Sequence, residues 1–129
     1  KLKLGNINPT RDFLFVEDTC LGYLSCLKKG KFKGEVVNIG TGYQISIKNI
    51  TKIISDILNI KTKIIKSNLR TRPKNSEVER LCASIKIAKK LLKWKPKFLG
   101  LAGLKKGLVR TIEWQIKHNQ KKISNKYIV

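Results

Sequence analysis

Arginine is the side chain in this 129-residue sequence best suited to holding an anion, and only five stand among twenty-four lysines. A guanidinium is planar, permanently charged and forked, whereas a lysine ammonium is a point charge on a flexible stem. Arg11 stands in "NINPTRDFLFVEDTCLG" (6–22), beside Asp12 and at the head of the apolar run Phe13-Leu14-Phe15-Val16. Arg70 and Arg72 fall in a polar stretch, the second next to Pro73, and Asn38 lies just before Gly40-Thr41-Gly42. These four residues, Arg11, Arg70, Arg72 and Asn38, are the candidates for an anionic ligand. The alternative reading makes Arg11 the structural partner of Asp12 or Asp18, and Arg72 a solvated loop residue.

Residues that transfer protons or bind metals are nearly lacking. The single histidine, His118, sits beside lysine at the end of a helical pattern, where it reads as a surface or capping residue. Cys20, Cys26 and Cys82 have neither a base nearby in the sequence nor metal-ligand spacing, so the chemistry implied is that of free thiols in a reducing, cytoplasmic setting. Gly40-Thr41-Gly42 follows an apolar run but lacks the spacing of a dinucleotide fingerprint or a P-loop, and reads as a strand-ending turn. No catalytic, cofactor-binding or metal site is expected from these residues. No apolar run approaches the length of a membrane span, and no signal-peptide pattern opens the chain.

Apolar periodicity predicts the elements that must position the arginines. Residues 1–4 read as a strand end and 12–15 as a short extended piece. A helix is expected over 17–29, with Leu21, Leu24 and Leu27 as its buried stripe, Glu17 and Asp18 at its positive end, and Gly30 as its stop. Asp18 reads as a capping or tethering residue. Residues 35–39 form an apolar strand. Ser46 caps a helix carrying Ile47, Ile50, Ile54 and Ile57, and 60–66 alternate as a strand. The polar stretch 67–80 is a long loop. Ser84 caps a short helix to Leu92, and the last helix covers about 103–118. Trp94 and Trp114 are assigned to core packing, and 119–129 to a basic tail. Strands alternating with helices imply an α/β arrangement in one domain with a modest core.

The formal net charge of +21 suggests nucleic-acid binding. Against it, the lysines are scattered over every predicted element, and isoleucine and asparagine are abundant, as AT-rich coding would produce. The charge is therefore read as a solvated surface, with no specific nucleic-acid partner. A basic nucleic-acid-binding module is the distant alternative. The chain begins in strand-like alternation without methionine, as if cut from a longer one.

"LGNINPTRDFLFVEDTCLGYL", "GEVVNIGTG", "ISIKNITKII", "RTRPKNSEVERLCASIKIAKKLLKWKPK" and "GLVRTIEW" stand in an order that resembles extended short-chain dehydrogenase/reductases acting on nucleotide-diphosphate sugars. The likeness is greatest to NAD-dependent nucleotide-sugar 4,6-dehydratases and runs over about residues 1–117. It implies the C-terminal, substrate-binding portion of a Rossmann-type enzyme, 1–118, with 35–39 completing the sheet of an N-terminal cofactor domain not present here. It also implies that Arg11 and Arg72 reach the substrate diphosphate from two sides, that Asn38 lies near the same phosphates, and that Glu77 reaches the ribose. NAD would be bound by the absent domain and the complete enzyme would be a homodimer. The family's glycine-rich turn and Tyr-x-x-x-Lys pair are not in the sequence, so residues 1–129 alone are expected to be inactive. In such a dehydratase a hydride leaves the sugar C4, water is eliminated, and the hydride returns at C6. A 4-epimerase with the same lobe is the alternative.

Overall fold

The computed structural model describes residues 1–29, 32–70 and 76–118. Two small sheets organise it. In the first, β1 (Leu2–Leu4) runs parallel to β4 (Ile64–Lys66), with Leu2 opposite Ile64. In the second, β2 (Thr10–Asp12) is the middle strand. It lies antiparallel to β3 (Gln44–Ser46) and parallel to β5 (Arg80–Leu81), with Arg11 opposite both Ile45 and Leu81. Among the described residues three α-helices accompany them: α1 (Val16–Lys29), α2 (Ile47–Ile57) and α3 (Gly100–His118). The extended piece expected over 12–15 lies instead at 10–12, and β4 keeps only 64–66 of the β-branched run 60–66, because a strand lasts only while a neighbour pairs with it.

Local chemistry explains the helix ends. Ser46 caps α2 as expected, its hydroxyl accepting from the Asn49 N–H at 3.2 Å. Ser84 does not cap the next helical segment. That segment closes as a π-helical turn over Ala88–Leu92 whose N-cap is Ile87, with no side-chain cap. Gly30, assigned as the stop of α1, and the tail 119–129 lie outside the described residues.

The expected leucine stripe of α1 is a correction. Leu21, Leu24 and Leu27 are exposed, Leu27 by 81%. The inner face runs instead through Asp18 and Gly22, both buried, and half-buried Cys26. Gly22 is needed there: a Cβ at this position would stand 2.8 Å from the Ile39 side chain, so only glycine admits residues 35–39 that close. Among the described residues, 35–39 pair with no strand, so the expected extended run forms no ladder within this chain. Their backbone has no neighbour to accept a ladder, although Val37 and Ile39 pack inward.

The core gathers Ile85, Ala88, Leu92 and Trp94, with Leu14, Cys26, Val37, Ile39 and Ala83 against it. Trp94 is a core residue as expected, but Trp114 is 56% exposed and stacks on His118 at 4.7 Å. Asp18 is the tether the sequence suggested. Fully buried, it accepts from the Lys97 and Phe98 N–H groups, each at 2.9 Å, and so binds the start of α1 to the segment leading into α3. Phe15 and Phe98 pack beside it with ring centroids 4.4 Å apart, and Arg110 bridges to Glu17 at 3.0 Å. Among the described residues no helix is long and apolar enough to cross a membrane.

Candidate functional site

The middle position of the second sheet fixes Arg11, since β2 is paired on both sides. Its Nη1 donates to the Thr10 carbonyl at 2.8 Å and its Nη2 to Glu77 Oε1 at 3.3 Å. The pair is sheltered, with side chains 23% and 16% exposed. Neither acid proposed from the sequence alone is the partner of Arg11. Asp18 is engaged by the chain before α3, and Asp12, adjacent on an extended strand, points to the opposite face of the sheet.

Glu77 is separated from Arg11 by 66 residues in sequence. The parallel pairing of β5 with β2 brings it near, since Glu79 ends the same segment and its carbonyl accepts the Thr10 N–H at 2.8 Å. Of the four site residues implied by the resemblance (Arg11, Arg72, Asn38 and Glu77), Arg11 and Glu77 therefore meet directly. Asn38 is exposed and stands two residues before Gly40 on the unpaired segment. Arg72 lies outside the described residues. Arg70 is directed elsewhere, its Nη1 donating to the Lys3 carbonyl at 3.1 Å, where it links the loop to β1.

Asp12 was not singled out as a site residue from the sequence, yet it holds the frame of the site. Its carboxylate accepts the Thr41 N–H at 3.0 and 3.1 Å, the Gly42 N–H at 2.9 Å, the Ala83 N–H at 3.2 Å and the Thr41 hydroxyl. Thr41 is 5% exposed, and its Oγ1 also accepts from the Tyr43 N–H. Gly40 must be glycine for this approach, because a Cβ there would meet the Ala83 Cβ at 2.4 Å and Asp12 Oδ2 at 2.9 Å. The only signal in the sequence was an acid at the edge of an apolar run and a Gly-Thr-Gly turn whose N–H groups need acceptors; the register that joins them was not readable.

This bonding also decides what the turn can hold. A phosphate cradle needs free backbone N–H groups, and those of Thr41 and Gly42 are both taken by Asp12. The turn does not fit the pyrophosphate of a dinucleotide cofactor. His118 Nδ1 is paired with the Trp114 carbonyl at 2.9 Å on the exposed end of α3. Among the described residues no cluster of His, Cys, Asp or Glu has the make-up of a metal site. What remains is one sheltered arginine fork held by a carboxylate, with capacity for further anionic oxygens.

An α/β chain with this order of elements and this arginine on a paired middle strand is of the extended short-chain dehydrogenase/reductase class, with a Rossmann-type fold. The chain belongs to the GDP-mannose 4,6 dehydratase family, whose family model matches residues 1–106. It is 34% identical over 126 residues to the human dTDP-D-glucose 4,6-dehydratase, covering 92% of this chain and 34% of that one. Among solved structures it superposes on the Bacillus anthracis dTDP-glucose 4,6-dehydratase in complex with NAD (TM-score 0.77, 28% identity, 92% of this chain and 35% of that one). It also superposes on the Thermotoga maritima UDP-glucose 4-epimerase with UDP-glucose (TM-score 0.76, 26% identity, 91% and 35%). The chain thus spans about a third of the length of these relatives, which include both dehydratases and epimerases of nucleotide sugars.

Proposed function

We propose that this chain is the C-terminal, substrate-holding portion of an NAD-dependent nucleotide-diphosphate-sugar 4,6-dehydratase, with Arg11 and Arg72 clamping the diphosphate. Asn38 adds a contact near the same phosphates, and Glu77 accepts from the nucleotide ribose. When bound, NAD would supply reversible hydride transfer; the Gly40-Thr41-Gly42 turn does not fit it, and its site is read as lying in the rest of the enzyme. Residues 35–39, apolar and without a ladder partner, would add to the sheet of that cofactor domain. The complete enzyme is read as a cytoplasmic homodimer with no specific nucleic-acid partner. A 4-epimerase reading keeps the same clamp, and the similarity to the UDP-glucose 4-epimerase favours it as the second choice.

The observation that supports the clamp is the sheltered Arg11–Glu77 pair, which joins the segments around residues 11 and 77 at one point. A diphosphate spreads its charge over several oxygens, and fixed guanidinium forks from separate segments complement it better than mobile lysines.

Calorimetric titration of uridine, guanosine and thymidine diphosphate into the protein that carries this chain tests the reading. Arg11→Ala and Arg72→Ala are each expected to lose roughly ten- to hundredfold in affinity, since a charge-assisted hydrogen bond is worth about 1.5–3 kcal/mol. Lysine at either position should rescue only partly. Arg70→Ala should bind nearly normally, because its guanidinium is turned to the Lys3 carbonyl. An Arg70→Ala loss equal to that of Arg72→Ala would reject the assignment in that loop. If Arg11→Ala unfolds the protein instead, the pair with Glu77 is structural. Mass spectrometry of the product separates the two reactions: the dehydratase product lacks one water, whereas an epimer keeps the mass of its substrate.

A further inference from the structure

We propose that Asp12 is a positioning residue for the site: its carboxylate staples the three strands at one end, and it governs diphosphate affinity through Arg11. The inference rests on the diphosphate role of Arg11 argued above.

The geometry is specific. Asp12 ends the middle strand β2, opposite Gln44 at the start of β3 and one position beyond the pairing of Arg11 with Leu81. The turn 40–42 leads into β3, and residues 82–83 leave β5, so both neighbours pass the same end of β2. A single carboxylate receives donors from both: Thr41 and Gly42 on one side, Ala83 on the other. The strands themselves are only two or three residues long, too short to hold a register by ladder bonds alone. Charge-assisted hydrogen bonds are stronger than neutral ones and are directional, so Asp12 supplies the order that the short ladders lack.

Two consequences reach the ligand. Arg11 is the residue before Asp12, so the backbone that aims its guanidinium is fixed by the staple. Glu77 lies on the segment whose continuation, β5 and residues 82–83, is fastened to the same carboxylate. Removing the staple leaves the charges in place and frees their mutual geometry. The loss should therefore appear as weaker binding that depends on Arg11, beyond any loss of stability.

A double-mutant cycle read by calorimetry decides this, using whichever of uridine, guanosine and thymidine diphosphate binds most tightly to the protein that carries this chain. Asp12→Asn should lose affinity about tenfold in the wild-type background, and by less than about twofold when Arg11 is already alanine. Thr41→Val removes one bond to the carboxylate while leaving the backbone donors, and should show a smaller loss, about threefold, with the same dependence on Arg11. Thermal unfolding of each variant fixes the folded fraction. Equal losses in both backgrounds would make Asp12 merely structural and overturn the proposal. So would unchanged affinity in Asp12→Asn, or in Thr41→Val should Asp12→Asn not fold. Arg11→Ala at wild-type affinity rejects the diphosphate reading itself, and this inference with it. Arg11→Ala weakened with Asp12→Asn unchanged rejects only the positioning role.

Discussion

A half-buried guanidinium without a ligand needs a counter-charge, and Glu77 supplies it to Arg11 at 3.3 Å. The same carboxylate opposes any anion that approaches the fork, because like charges at close range repel. If Glu77 turns to the ribose when a nucleotide arrives, its charge penalises bare phosphates and is compensated only by ligands that offer hydroxyl donors. Glu77→Gln should then tighten inorganic pyrophosphate and weaken the nucleoside diphosphate, so that the ratio of the two affinities falls by about fivefold. That figure is the order expected when a charged acceptor becomes neutral. Competition titrations with the two ligands measure the ratio, and an unchanged ratio would leave Glu77 as only a structural partner of Arg11. The sequence pointed to Arg11 and Glu77 separately, through chemistry and resemblance. It did not show that they meet, since a contact across 66 residues depends on strand pairing that local pattern does not encode.

At the scale of elements, helices were the most legible part. Val16–Lys29 and Ile47–Ile57 follow the predicted ranges closely, and the last helix begins at Gly100 instead of 103. The face of α1 was misread because its buried stripe contains an aspartate and a glycine in place of leucines. Hydrophobic periodicity finds apolar stripes and is blind to a buried carboxylate satisfied by backbone N–H groups from a distant segment. That carboxylate is the strongest single tie between α1 and the entry to α3. Asp18→Ala would leave the Lys97 and Phe98 N–H groups without an acceptor, the second of them buried. The expected cost is about 2–5 kcal/mol, set by the desolvation of unpaired donors. Asp18→Asn, which keeps one acceptor oxygen, should cost about half as much. Urea unfolding of the two variants checks the order, and equal stability of Asp18→Ala and wild type would remove Asp18 from the framework. Residues 35–39 show no ladder among the described residues for the converse reason: their composition suits a strand, but no neighbour there completes one.

For the whole molecule, the proposed role is to hold and orient the nucleotide, with proton exchange at the sugar left to the rest of the enzyme. Among the described residues His118 is committed to a backbone carbonyl, and the three cysteines are free thiols, with Cys82 held 4.0 Å from the stapling carboxylate. Residues 1–129 purified alone should therefore form no product from any nucleotide sugar supplied with NAD, followed by mass spectrometry over hours. Product formation at a rate above the heat-treated control would relocate the chemistry into this chain. The family was legible from the order of its motifs, and the reaction was not. The groups that hold a diphosphate can serve dehydratases and epimerases alike, and this chain spans about a third of the relatives that carry out either reaction.

The Asp12 staple has a bearing on how freely this sequence can drift. Three of the groups it gathers are main-chain N–H donors, which every residue except proline provides. Hydrogen bonding therefore asks nothing of the side chain at position 83, where only size is limited by Gly40, and at exposed position 82 the side chain adds only a long thiol contact of 4.0 Å to the carboxylate. The identity requirement falls on the carboxylate at 12, the glycine at 40 and, less strictly, the hydroxyl at 41. A saturation library screened for folded, ligand-binding protein would show this as a sharp contrast. Position 82 would accept most side chains, and positions 12 and 40 almost none.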